Sequence, residues 1–196
     1  MSGSVQIDWV VDGTTLSARE PTDAELAAAA DQLAVAYNHP SNAALLGHTE
    51  SLDADDVLEH YAELAEDGAR QFLLFVDGDL AGDADLRGLE DGTAEFAFLI
   101  GAPSAQGRGL GTRFAIMIHA FGFATLGLTA IYASVVPDNV ASRRVFAKLG
   151  YRDDTSLRAR SYADAPGDLT LSIDRASFEA AHAAELAALT ITPRAS

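Results

Sequence analysis

The stretch Gln106-Gly107-Arg108-Gly109-Leu110-Gly111-Thr112 constrains this chain more than any other. It separates an apolar run with strand character, residues 93–100, from a run with helical apolar spacing that carries Phe114, Met117, Ile118 and Phe121. Closely spaced glycines at a helix start let backbone N–H groups approach an anion, and the helix dipole favours its negative charge. A strand end, a tight turn and a helix N-terminus must therefore meet here, which is the arrangement of a phosphate cradle. Two common cradles do not fit. A Walker A loop ends in a lysine, and the chain's one lysine, Lys148, lies far downstream. A dinucleotide fingerprint begun at Gly109 needs glycine where Phe114 stands, followed by a strand-ending acid about 20 residues on. The same glycines also suit a purely structural connection.

Around this turn the pattern predicts an α/β (α+β) chain. Thr14 to Arg19 alternates as a strand, and Pro21-Thr22-Asp23 opens an alanine-rich helix. Residues 38–49 read as a loop, and Val57, Leu58, Tyr61 and Leu64 mark a second helix that Gly68 stops. Gln71 to Val76, Leu80 to Leu86 and Thr93 to Ile100, joined by Asp77-Gly78 and Asp91-Gly92, read as three successive antiparallel strands. After the glycine-rich turn come a helix, a buried strand at 130–136, and a helix opened at Asn139 and ended at Gly150. Tyr151 to Leu157 and Asp168 to Ile173 are the last predicted strands, and Ser177 to Leu189 a terminal helix. Neither a repeat nor a low-complexity linker divides the chain, so one domain over 1–196 is expected, its core at about 14–175 and a C-terminal helix and tail beyond.

Charge narrows the function. Thirteen Lys and Arg stand against twenty-nine Asp and Glu, a net charge of −16 that repels nucleic acid backbones and anionic lipid. Neither a nucleic acid nor a membrane is an expected partner. The positive charge is concentrated: residues 101–160 hold eight cations against three acids, an arrangement suited to an anionic ligand on one side and a cationic one on the other. The absence of cysteine excludes thiol nucleophiles and thiolate metal clusters. His39, His48, His60, His119 and His182 lack metal-binding spacings, no metal is expected, and no G-x-S-x-G elbow is present. The start, MSGSVQIDW, has no basic segment leading into an apolar one, so a soluble, cytoplasmic protein is expected.

Gln106-x-x-Gly109-x-Gly111 after AEFAFLIG, followed by VVPDNVASRRVFAKLGY, resembles the two signature motifs of the GNAT superfamily of acyl-CoA N-acyltransferases. The order of elements is similar over roughly residues 14–175, and the stretch from Ala124 to Asp154 looks like the RimJ/RimL-type branch. The resemblance implies a central mixed, mostly antiparallel sheet of six to seven strands, with splayed fourth and fifth strands and about four flanking helices. It also implies acetyl-CoA as cosubstrate and an amine acceptor, either a small cationic molecule or a protein N-terminus. A homodimer is compatible with this reading.

On the same resemblance, the pantetheine arm would lie along Leu99, Ile100 and Gly101, and the pyrophosphate on the amides of Gly107 to Thr112, including Leu110. Asn139 would bond the pantetheine, though it equally suits the cap of the following helix. Arg108, Arg143 and Arg144 would meet the adenosine 3′-phosphate. Acyl transfer to an amine needs that amine neutral and the departing thiolate stabilised. Glu95, which resembles a glutamate many members place on this strand, is the candidate base; a solvated strand-end carboxylate is the alternative. Asp83 and Asp85 share one face as rival bases or substrate anchors. His39 and His48 sit in a loop that lines the acceptor pocket of similar enzymes. Many members carry a tyrosine four residues after the serine of N-x-x-S, but Phe146 follows Ser142 here. Ser142 then either stabilises the sulfur or supports the Asn139 cap, with Tyr151 and Tyr162 as reserve phenols. The missing tyrosine also suits a catalytically silent acyl-CoA-binding sensor or scaffold.

Overall fold

The computed structural model describes residues 3–46, 51–101 and 109–194. Along the chain these form β1 (Val5–Val11), β2 (Thr14–Arg19), α1 (Asp23–Asn38), α2 (Pro40–Leu46), α3 (Ala54–Glu66), β3 (Arg70–Val76), β4 (Asp79–Glu90) and β5 (Thr93–Ile100). Then follow α4 (Leu110–Ala124), β6 (Ala130–Val135), α5 (Val140–Leu149), β7 (Arg152–Asp153), α6 (Leu157–Arg160), β8 (Leu169–Asp174), α7 (Arg175–Ala181), α8 (Ala183–Leu186) and β9 (Leu189–Pro193). The strands make one sheet in the order β7-β8-β6-β5-β4-β3-β2-β1-β9. Every neighbouring pair is antiparallel except β5 and β6, which α4 joins as a crossover and so makes parallel.

Three hairpins turn on Asp12-Gly13, Asp77-Gly78 and Asp91-Gly92, and both residues of each pair lie at positive φ. Such turns carry the right-handed twist of the flanking strands. Helices α1 and α3 begin with capping boxes, Thr22 with Glu25 and Asp53 with Asp56. Their inward residues Ala30, Leu33, Val57 and Tyr61 cover one face of the sheet around Leu73. Helix α4 covers the other face and buries Phe114, Met117, Ile118 and Phe121 against Phe72, Phe96 and Ile131. Among the described residues no helix is long and apolar enough to cross a membrane.

The fold is the expected α+β class, with four helices of ten or more residues. It differs at the margins. The sheet has nine strands, because the N-terminal residues form β1, and β9 pairs beside it through Ile7↔Ile191. The terminal helix predicted over 177–189 breaks at His182, whose Nε2 donates to the Leu149 carbonyl (3.1 Å). The alternating β-branched tail then joins the sheet. Residues 40–46 form α2 where a loop was expected. The strand predicted over 151–157 shrinks to β7, because the Ser156 hydroxyl caps α6 by accepting from the Ala159 N–H (3.2 Å).

The start of β4 leaves no space for a side chain against the end of β5: a Cβ on Gly82 would lie 1.9 Å from the Leu99 carbonyl oxygen. Gly82→Ala must therefore push the two backbones apart and is expected to cost about 2–3 kcal/mol. Urea unfolding checks this, and a loss below about 0.5 kcal/mol contradicts it.

Candidate active site

Strands β5 and β6 pair only through Thr93↔Ala130, Ala94↔Ile131 and Glu95↔Tyr132. Beyond that point β5 continues with β4 as far as Ile100, and β6 continues with β8 as far as Val135. The two strands thus diverge, and Glu95 lies at the apex of the gap. These are the strands the sequence counts as fourth and fifth. Leu99 and Ile100 face Asp83 and Gly82 of β4, and the Gly101 N–H donates to the Ala81 carbonyl (2.9 Å).

Along the chain the glycine-rich stretch follows β5 and precedes α4. Gln106, Gly107 and Arg108 lie outside the described residues, as does His48. Gly109 caps α4 at φ 75, and among the described residues nothing lies within 4 Å of where its Cβ would be. Gly111 has a packing role, since its Cβ would come within 3.2 Å of Phe98 and 3.3 Å of Val145. Leu110 is buried in the core, whereas Thr112 lines an open cleft of about 570 Å³ with Arg113 and Lys148, opposite Trp9 and Ala184. Arg113 is paired there with Asp12.

Helix α5 begins beside the gap. Asn139 caps it, its Oδ1 accepting the Ser142 N–H (3.0 Å), and both residues are half-buried. Arg143 and Arg144 are exposed on its outer side, and Arg143 donates to the Pro137 carbonyl (3.2 Å). Phe146 is buried among Phe96, Phe98 and Tyr151. The Tyr151 hydroxyl donates to Nε2 of His119 (2.6 Å), while Nδ1 of His119 donates to the Ala115 carbonyl (2.7 Å). Burial lowers the His119 pKa to about 3 and raises that of Tyr151 well above the ordinary value, so this pair stays neutral. Tyr162 is held elsewhere, its hydroxyl on the Gly88 carbonyl (3.0 Å) and its ring stacked on Tyr132.

Glu95 is 6% exposed, not a solvated strand end. Burial pushes its pKa up to about 7; Arg87 opposes the rise, Asp164 and Asp85 add to it, and the Ser134 backbone N–H opposes it. Asp83 and Asp85 share the face of Glu95 because Asp83 lies opposite Leu99, Asp85 opposite Ala97 and Arg87 opposite Glu95. Asp85 is held by Arg87 in a two-pronged ion pair (2.7 and 2.9 Å). Asp83 accepts from the hydroxyls of Tyr37 and Tyr61, which tie α1 and α3 to β4, and burial raises its pKa to about 6. His39 is exposed and its Nδ1 bonds the Ser41 hydroxyl (2.8 Å), so nothing joins it to this cluster. Sequence reasoning missed Arg87, Asp164 and the two tyrosines on Asp83.

Splayed parallel strands, a helix N-terminus at the open end and a buried carboxyl at the apex define an acetyltransferase-type α+β protein. Residues 14–152 match the family described as acetyltransferase (GNAT) domain, and the chain belongs to that family. It is 39% identical over 75 residues to human alpha/beta-tubulin-N-acetyltransferase 9, covering 37% of this chain and 36% of that protein. It is 33% identical over 90 residues to spermidine N(1)-acetyltransferase of Escherichia coli (strain K12), covering 45% and 48%. These matches thus span between about a third and a half of each relative's length. The fold superimposes on Mycobacterium smegmatis RimJ in complex with CoA-disulfide at a TM-score of 0.69 and 19% identity, covering 94% of this chain and 95% of that one.

A carboxyl whose pKa is higher folded than unfolded favours the folded state fully below its unfolded value, and that contribution is lost as pH rises through the folded one. For Glu95 the window runs from about 4.5 to about 7. Glu95→Gln is therefore expected to match the wild type near pH 4.5 and to exceed it at pH 8 by about 3 kcal/mol. Denaturant unfolding at the two pH values checks this; a variant no more stable at pH 8 contradicts it.

Proposed function

We propose that this chain is an acetyl-CoA-dependent N-acetyltransferase in which a primary amine attacks the thioester directly within a ternary complex. The observation that carries this reading is the buried Glu95 carboxyl at the point where β5 and β6 part. In this reading an extended pantetheine arm occupies the gap beside β5 where the pairing with β6 has stopped, and Asn139 and Ser142 at the start of α5 meet it. Gly109 gives an anion open backbone at the N-terminus of α4, the end that favours negative charge. Lys148 in the adjoining cleft and the exposed Arg143 and Arg144 supply cations for the nucleotide phosphates.

Acetyl-CoA supplies the activated acetyl group. Glu95, with a pKa near neutrality, takes the proton that the acceptor's ammonium must lose, directly or through one water. The amine nitrogen then bonds to the acetyl carbon as the carbon–sulfur bond breaks, and the proton that the nitrogen sheds in becoming an amide goes to the departing sulfur, which leaves as the free thiol of coenzyme A. Ser142 carries the stabilisation of the departing sulfur, because Phe146 has no hydroxyl and that of Tyr151 is committed to His119. The acceptor is a cationic amine such as a polyamine. Support comes from Asp164 beside Glu95, the strongly acidic chain and the likeness to a spermidine acetyltransferase. Phe146 favours a second reading, an acyl-CoA-binding sensor without turnover.

Thiol release from acetyl-CoA, measured with spermidine, an aminoglycoside and peptides with free N-termini, separates the two readings. Turnover is expected with at least one amine, and heat protection by acetyl-CoA without turnover contradicts the enzymatic one. In the active enzyme Glu95→Gln is expected to lower kcat/KM at least tenfold at pH 6.5 and less at pH 9, where more of the amine is already neutral. The cradle has its own test. Gly109→Asn keeps a residue that tolerates positive φ, whereas Gly109→Asp adds a negative charge at the same place. Calorimetry is expected to show Gly109→Asp binding coenzyme A at least tenfold more weakly than Gly109→Asn, and equal affinities contradict the assignment.

A further inference from the structure

The β4–β5 hairpin carries an irregularity beside Glu95. Its turn pairs Glu90 with Thr93, and uninterrupted pairing would then set Gly88 opposite Glu95 and turn Arg87, Asp85 and Asp83 to the other face. The register instead shifts between Arg87 and Glu90, with Gly88 at φ 58, so that Arg87 stands opposite Glu95. The bulge is held from outside. Tyr162 donates to the Gly88 carbonyl and packs where a Cβ would lie, 2.9 Å from its ring, and Arg158 bonds both the Glu90 carbonyl (2.9 Å) and the Thr93 hydroxyl (2.6 Å). One extra residue thus brings a guanidinium and a carboxylate onto the face of the buried glutamate.

The pair's geometry is specific. Nε and Nη2 of Arg87 both reach Asp85, a fork that a lysine cannot reproduce. Side-chain exposure is 30% for Arg87 and 13% for Asp85, so solvent screens the pair only in part. The fork's direction leaves the charge of Arg87 near Glu95 without a hydrogen bond between them.

We propose that the Asp85–Arg87 ion pair is a positioning device for Glu95: Asp85 holds the guanidinium beside the base and keeps it from pairing with the base directly. This rests on the reading of Glu95 as proton acceptor and deepens it. A direct pair would favour the carboxylate so strongly that it became a poor base, whereas no cation at all would leave it protonated at neutral pH. Held at one remove, the charge offsets part of the burial effect. The groups facing Glu95 are Arg87 and Asp85 from β4, the Ser134 N–H and Tyr132 from β6, Asp164 from the segment after α6, and Tyr151 after α5.

The test is the acidic limb of kcat/KM for whichever amine is turned over, read alongside the ¹³C titration of the Glu95 carboxyl, which needs no turnover. Arg87→Met is expected to move both midpoints up by about one pH unit, and Asp85→Asn to move both down by a similar amount. Arg87→Lys keeps the charge and stays closer to the wild type than Arg87→Met. The double variant Asp85→Asn/Arg87→Met leaves no unpaired buried charge, and it moves the midpoints up by less than Arg87→Met because Arg87 acts on Glu95 more strongly than Asp85 does. If Arg87→Met does not fold, Asp85→Asn and the double variant decide. Midpoints that stay in place, or that move the same way in Asp85→Asn and Arg87→Met, overturn the proposal and leave the base reading standing. A limb that survives in Glu95→Gln overturns the base reading itself.

Discussion

Three residue pairs hold β5 to β6, and the end of that short parallel ladder is the constraint on which the rest of the site depends. Helix α4 must cross from the end of β5 to the start of β6, which fixes their parallel direction and sets its own N-terminus at the open end of the gap. Strand β6 can leave because β8 pairs with it along its whole length, and β5 can leave because β4 pairs with it from Thr93 to Ile100 apart from the bulge at Gly88. Each strand therefore keeps a ladder on its other edge while the space between them widens, which keeps the backbone cost of the opening small. Both sides of the sheet support the arrangement, α4 with its aromatic residues on one face and α1 with α3 on the other.

The chemistry follows from where that ladder stops. At its last pair Glu95 is too buried to ionise as a surface carboxylate would, and a fixed guanidinium opposite it limits the effect. Two further carboxylates stand nearby with different partners. Asp85 is paired with Arg87, and Asp83 is held by two phenols that anchor helices α1 and α3. Three acids on one face thus have three roles, set by their partners. A Glu95 pKa near neutrality weakens the fold at neutral pH, which under the proposed role as base is an exchange between stability and activity.

Much of this was legible in the sequence. Asp-Gly turns, capping residues and apolar spacing located most elements of 14–151, and the glycine turn with the Asn139 motif pointed to the family. The losses have physical causes. Strand β1 carries alternating residues and its own Asp12-Gly13 turn, but its partner β9 lies at the far end of the chain. Strand β9 follows alanine-rich helical segments, so local propensity hid it until pairing with β1 decided the matter. The relation of Glu95 to Asp83, Asp85 and Arg87 was beyond periodicity, because the bulge at Gly88 reverses which face those residues occupy. Burial of Glu95 was likewise invisible, since its cover comes from segments distant in the chain.

The central claim is that the gap between β5 and β6 receives an acyl-coenzyme with Glu95 at its reactive end. A crystal structure with coenzyme A bound tests this most directly. The account predicts the pantetheine arm extended along β5 within the gap, the pyrophosphate at the N-terminus of α4 beside Gly109, and the sulfur on the Glu95 side of the opening. Coenzyme A held only in the outer cleft beside Arg113 and Lys148, with side chains closing the gap, would contradict it.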